Sequence, residues 1–134
     1  MPQEIVFQVP LTVPYAEAVE KVTAALKAEG FGVLTQIDVK ATLKNKLNED
    51  FRPYIILGAC NPPLAHKALS NEPIVGGLLP CNVTVEATDE GSLVQIVNPK
   101  VMMGIPPLST NPALVEVAEE ALQRLQRVAA ALKA

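Results

Sequence analysis

Apolar residues recur along this chain at two spacings, and the switching between them predicts five strands and several helices. Ile5, Phe7 and Val9 step by two, which reads as a strand over 5–9. Tyr15, Ala18, Val19, Val22 and Leu26 step by three and four, the mark of a helix with one buried face. Thr12 is placed to cap that helix, Pro14 suits its first turn, and Gly30 supplies a left-handed stop. Phe31–Ile37 is a second strand, and Asp38 caps a short helix carrying Val39, Leu43 and Leu47 on one side. Tyr54–Cys60 is apolar almost throughout, so it is expected to be the central strand.

Asn61 caps a helix running to Leu69, with Pro62 and Pro63 where proline is tolerated, and Glu72-Pro73 ends it. Gly76-Gly77 reads as a turn and Leu78–Ala87 as a fourth strand. Asp89-Glu90-Gly91 then turns the chain tightly into a fifth strand, Leu93–Val97. Residues 98–112 read as a proline-rich loop, and Asn111-Pro112 opens a final helix to the C-terminus. Leu114, Ala118, Ala121, Leu125, Val128 and Leu132 mark its apolar stripe, and Val115, Leu122 and Ala129 widen it. A wide stripe suits packing across a sheet better than a coiled coil. Acidic residues early in that helix and basic ones late suit its dipole, and Glu120 can pair with Arg124. The order β-α-β-(α)-β-(α)-β-β-α predicts an α+β two-layer sandwich. Its sheet is mostly antiparallel, with the two long helices, about 13–29 and 112–132, on one face.

Composition narrows this picture. The 134 residues suit a single domain, 1–134, and 49% apolar content suits a folded one. A net charge of -3 with interspersed signs gives no basic surface for a phosphate backbone, so no nucleic-acid partner is expected. The apolar runs are too short to span a bilayer, so no membrane partner is expected either. Met1-Pro2-Gln3-Glu4 lacks the basic region of a signal peptide, and the expected location is cytoplasmic.

The chemistry concentrates in two stretches, Leu57-Gly58-Ala59-Cys60-Asn61-Pro62-Pro63 and Leu78-Leu79-Pro80-Cys81-Asn82-Val83. They hold both cysteines of the chain, expected as free thiols. Cys60 precedes a helix start, whose dipole favours thiolate; the plain alternative is a small apolar residue ending a strand. Cys81 enters a strand with no such terminus beside it. Asn61 and Asn82 offer amides to a ligand, although capping alone accounts for Asn61. His66, the single histidine, is a candidate base for Cys60 or a solvent-facing residue. With one histidine and no C-x-x-C spacing, no metal site and no cofactor are expected. No G-x-S-x-G, P-loop, dinucleotide fingerprint or H-E-x-x-H is present.

Gly30-Phe31-Gly32-Val33-Leu34-Thr35-Gln36-Ile37-Asp38, Leu57-Gly58-Ala59-Cys60-Asn61-Pro62 and Leu79-Pro80-Cys81-Asn82-Val83 together resemble the family named domain of unknown function 302. The resemblance covers nearly the whole chain. It implies a β-α-β4-α sandwich, like half of the TATA-box-binding-protein fold, and a homodimer. Met102, Met103, Ile105 and Leu108 are expected to add exposed apolar surface to such an interface. The function expected is a non-catalytic module binding a small-molecule ligand or a partner, with its site at Cys60, Asn61, Cys81, Asn82 and His66. The alternatives are a redox or sulfur-transfer protein using Cys60, and a purely structural interaction domain.

Overall fold

The computed structural model describes residues 4–134; the signal-peptide reading of Met1-Pro2-Gln3 lies outside them. Strands β1 (Val6–Leu11), β2 (Gly32–Asp38), β3 (Tyr54–Cys60), β4 (Cys81–Thr88) and β5 (Gly91–Val97) form one sheet. Its order is β1-β5-β4-β3-β2, and every pairing is antiparallel. The helices are α1 (Tyr15–Ala28), α2 (Val39–Leu47), α3 (Pro62–Asn71), α4 (Pro99–Met102) and α5 (Pro112–Lys133). A 3-10 helix, Pro73–Leu78, links α3 to β4.

The two-residue period of the strands sorts their side chains between the two faces. Val9 on β1, Leu57 and Ala59 on β3, Val83 and Val85 on β4, and Val94 and Ile96 on β5 share one face and are buried. Ala18, Val22 and Leu26 of α1 and Ala121, Leu125, Val128 and Leu132 of α5 close over them in one core. The expected arrangement, both long helices on one sheet face, is the observed one. The reverse face is more polar: Gln8 bonds Gln95 at 3.1 Å across β1 and β5, and Arg52 pairs with Glu86 at 2.6 Å.

A second, smaller core lies at one end. Ala68 of α3, Val75 of the 3-10 helix, Met103, Leu108 and Leu114, Val117 and Ala118 of α5 form it. Charged pairs tie its helices together: Lys67 of α3 to Glu116 of α5, and Lys100 of α4 to Glu119 of α5. The expected Glu120–Arg124 pair forms at 2.8 Å. No helix among the described residues is long and apolar enough to cross a membrane.

Several local expectations need correction. Thr12 does not cap α1. The N-cap is Pro14, with no side-chain bond, because β1 runs on to Leu11 opposite Ser92, whose hydroxyl donates to the Val13 carbonyl at 2.7 Å. The middle strand is β4, with β3 one place toward the β2 edge. β4 begins at Cys81, three residues later than expected, because Pro73–Leu78 coils into the 3-10 helix. Helix α2 buries none of its residues. Met103 and Leu108 are buried in the second core and Met102 is half-buried, so of the four apolar residues expected at an interface only Ile105 is exposed. Three local signals act as expected: Asp38 caps α2 through Ala41 N, Asn61 caps α3, and Gly30 takes a left-handed φ of 84° after α1.

Candidate functional site

Where the main core meets the smaller one, the packing leaves a cavity of about 360 Å³. The C-terminal end of β3 supplies Ala59, Cys60 and Asn61 to its wall, and the approach to β4 supplies Leu79, Pro80 and Cys81. Helix α3 adds Leu64, Ala65, Ala68 and Leu69, and α5 adds Val117 and Ala121. Phe31, Leu34, Thr35, Gly76 and Met103 complete it. The wall is almost wholly apolar. Space for about a dozen waters with so few hydrogen-bonding partners suits an apolar guest better than solvent.

Short side chains make the space. Ala65 and Ala68 of α3 stand where Leu would fill it, and Ala59 and Ala121 do the same on β3 and α5. Gly58 keeps the strand ends close: a Cβ there would lie 2.8 Å from the Pro80 ring and 2.1 Å from the Thr35 hydroxyl. The ring before Cys81 therefore packs directly on β3. A second hollow of the same volume lies between β1 and the end of α5, lined in part by Gln8, Gln126 and Lys133. With two elements bounding it and a lining more polar than that of the first cavity, it is a surface groove and the weaker candidate.

Three of the five expected site residues meet in the first cavity: Cys60, Asn61 and Cys81. Both cysteines are free thiols; Cys60 is half-buried and Cys81 is buried. Burial, with Cys60 beside it as the smaller cause, pushes the Cys81 thiol up to about 11. His66 and Asn82 do not line the cavity. His66 is exposed on α3. Asn82 pairs with Gly58 on the reverse face of the sheet, one residue out of phase with Cys81 and Val83, and is exposed.

The start of α3 bears on the chemistry open to Cys60. A helix N-terminus attracts an anion through its unspent N–H groups. Pro62 and Pro63 have no N–H. Leu64 N donates to Asn61 Oδ1 at 3.2 Å, and Ala65 N to the Asn61 carbonyl at 2.9 Å. The first turn thus aims no free donor at the Cys60 sulfur. Among the described residues no His, Lys, Asp or Glu lines the cavity, so the cavity offers neither thiol a side-chain base.

Sequence reasoning missed the alanines of α3 and α5, Phe31 and the leucines of the wall. The available signal was small residues one turn apart on two facing helices, Ala65–Ala68 and Val117–Ala121. Met103, read as part of an adaptable apolar loop, does reach the cavity.

Comparison with known proteins places the chain. No curated protein matches it. A crystal structure of an uncharacterized conserved protein DUF302 from Bacillus stearothermophilus superposes with a TM-score of 0.82 at 32% identity, covering 98% of each chain. Residues 7–132 match the family described as Domain of unknown function DUF302, and the chain belongs to that family.

Proposed function

We propose that this chain is a small, non-catalytic binding module that holds an apolar small molecule in the cavity between β3, α3, the 3-10 helix and α5. The carrying observation is the cavity itself: about 360 Å³, nearly all carbon and sulfur in its wall, kept open by Ala65 and Ala68. Pockets of this size and character are the usual small-molecule sites. The lack of a base among the described residues of the cavity wall, and the spent donors at the start of α3, favour binding over thiol catalysis. The cytoplasmic location and the homodimer expected from the family resemblance belong to this reading as proposals; two free thiols suit a reducing compartment. Sedimentation at micromolar concentration tests the dimer, and a monomer there removes it.

Thermal denaturation with saturated n-alcohols of increasing length, and with octanoate as the charged counterpart, tests the ligand class. The alcohols are expected to raise the melting temperature more than octanoate does. Ala65→Leu, which fills the cavity, is expected to abolish that rise. No stabilisation by any alcohol, or an equal rise in Ala65→Leu, sinks the reading.

A further inference from the structure

We propose that the guest of this cavity is a neutral carbonyl compound, an apolar chain with one C=O whose oxygen accepts a hydrogen bond from Asn61 Nδ2. The site is the one already assigned to an apolar ligand, and the proposal rests on that reading. Asn61 lines the cavity and is only 7% exposed. Its Oδ1 serves the cap of α3, accepting from Leu64 N at 3.2 Å. Its Nδ2 donates to no group among the described residues. Among those residues Thr84 Oγ1 is the one fully enclosed side-chain polar atom without a partner, so Nδ2 still meets accessible space. The backbone donors of this turn are spent; the side-chain amide is not. An amide so deeply placed is normally paired, and a bound acceptor would pair it.

The neighbours of that nitrogen select the head group. Gly30 leaves it uncovered: a Cβ there would stand 2.9 Å from Asn61 Nδ2 and 3.3 Å from Arg124 Nη1. The guanidinium is already spoken for. Arg124 Nη1 donates to the Glu29 carbonyl at 2.9 Å, and Nε to Glu120 at 2.8 Å. Its charge is met within the protein, and the donor left for a guest is a neutral amide. An ionised carboxylate would give up its water for that single N–H, a poor exchange against an apolar wall. An alcohol oxygen can accept from Nδ2, but its own O–H then needs an acceptor among carbon and sulfur, with Asn61 Oδ1 already capping. A carbonyl oxygen needs a donor and brings none. Asn61, Ala65 and Ala68 follow one another at steps of four and three, so they share one side of α3. A head group at Asn61 therefore lays its chain along about 10 Å of helix where the alanines leave room.

The test is calorimetric titration of the reduced protein with 2-octanone and 2-octanol, which share a skeleton and differ only at the oxygen. The ketone is expected to bind about tenfold more tightly, the worth of one buried hydrogen bond. Asn61→Asp still caps α3, because Asp caps as well as Asn, but it offers an acceptor in place of the N–H. It should weaken 2-octanone by about tenfold and turn the preference toward 2-octanol. A purely structural Asn61 would leave that preference unchanged. In the unaltered protein, the C=O stretching band of bound 2-octanone should lie below its position in hexane. Circular dichroism establishes that Asn61→Asp is folded; should it not fold, the infrared band and the ketone-to-alcohol ratio of the unaltered protein decide. Equal affinity for the two probes, an unshifted band, or a ketone preference that survives in folded Asn61→Asp overturns the proposal and leaves the apolar-ligand reading in place. Binding of neither probe removes both.

Discussion

The two cores of this domain are built from the same kinds of residue and solve opposite problems. In the main core, Val9, Val22, Leu26, Leu57, Val83, Val85, Val94, Ile96, Leu125 and Val128 have no exposed surface, and sheet and helices interlock. At the other end, alanines face one another across α3 and α5, and the chain takes a proline-led 3-10 path instead of continuing a strand. Space is left there. The difference shows that side-chain length at a few facing positions, more than polarity, separates a filled core from a binding cavity.

Substitutions of opposite sense test that contrast most strongly. Leu125→Ala in the main core should cost about 2–5 kcal/mol, because it removes packed methyl groups and leaves a void. Ala65→Leu at the cavity should change stability by about 1 kcal/mol or less, since the added carbons enter space already present. Chemical denaturation measures both. An Ala65→Leu cost near that of Leu125→Ala would mean that the cavity end is as tightly packed as the main core.

The next effect follows from Cys81. Its folded pKa is raised, so the folded protein keeps a proton that the unfolded chain releases near 9.0. The stability it contributes is whole below that value and is lost as pH rises through about 11. The loss should approach 2–3 kcal/mol, roughly 1.4 per pKa unit, and Cys81→Ala should remove it. Unfolding curves of both proteins from pH 8 to about 11 measure the difference, and identical slopes would mean that Cys81 is not desolvated.

A smaller effect belongs to the helix that carries the cavity's alanines. Asn61→Ala should destabilise by about 1 kcal/mol through loss of the bond to Leu64 N. Hydrogen exchange should show that loss at Leu64, with little change in the main-core strands. Uniform loss of protection would show that the two ends open as one unit.

The smallest effect is electrostatic. Hydrogen bonds from Lys67 and Lys100 hold the Glu116 and Glu119 carboxyls below their ordinary range. Stability from these pairs is present above the unfolded value, about 4.3, and is lost as pH falls through the lowered folded values. Both carboxylates are exposed, so salt should erase most of the difference between wild type and Glu116→Gln. A salt-insensitive difference would place the pair in a drier setting.

What the sequence discloses is what neighbours along the chain decide. Asn61-Pro62-Pro63, Asp38 and the Asp89-Glu90-Gly91 turn act within a few residues, and each forms as expected. Thr12 fails as a cap because Ser92, far along the chain, holds that segment against β5. The middle position of β4 depends on pairing order, which apolar content does not encode. Met103 and Leu108 sit in a loop by every local signal, yet α5 covers them. Cys60, Asn61 and Cys81 stand out as unusual residue types. The rest of the cavity does not, because it is defined by carbon atoms that are missing.

The outer position of β1 also fixes an order of assembly. Gln8 and Gln95, bonded across β1 and β5, lie 87 positions apart. The β4–β5 hairpin closes over a few residues and can form early; β1 must wait for a partner made long after it. During synthesis Phe7, Val9 and Leu11 leave the ribosome before every other strand of the sheet, and their partner β5 leaves last. The nascent chain therefore carries an unpaired apolar strand until β5 has emerged.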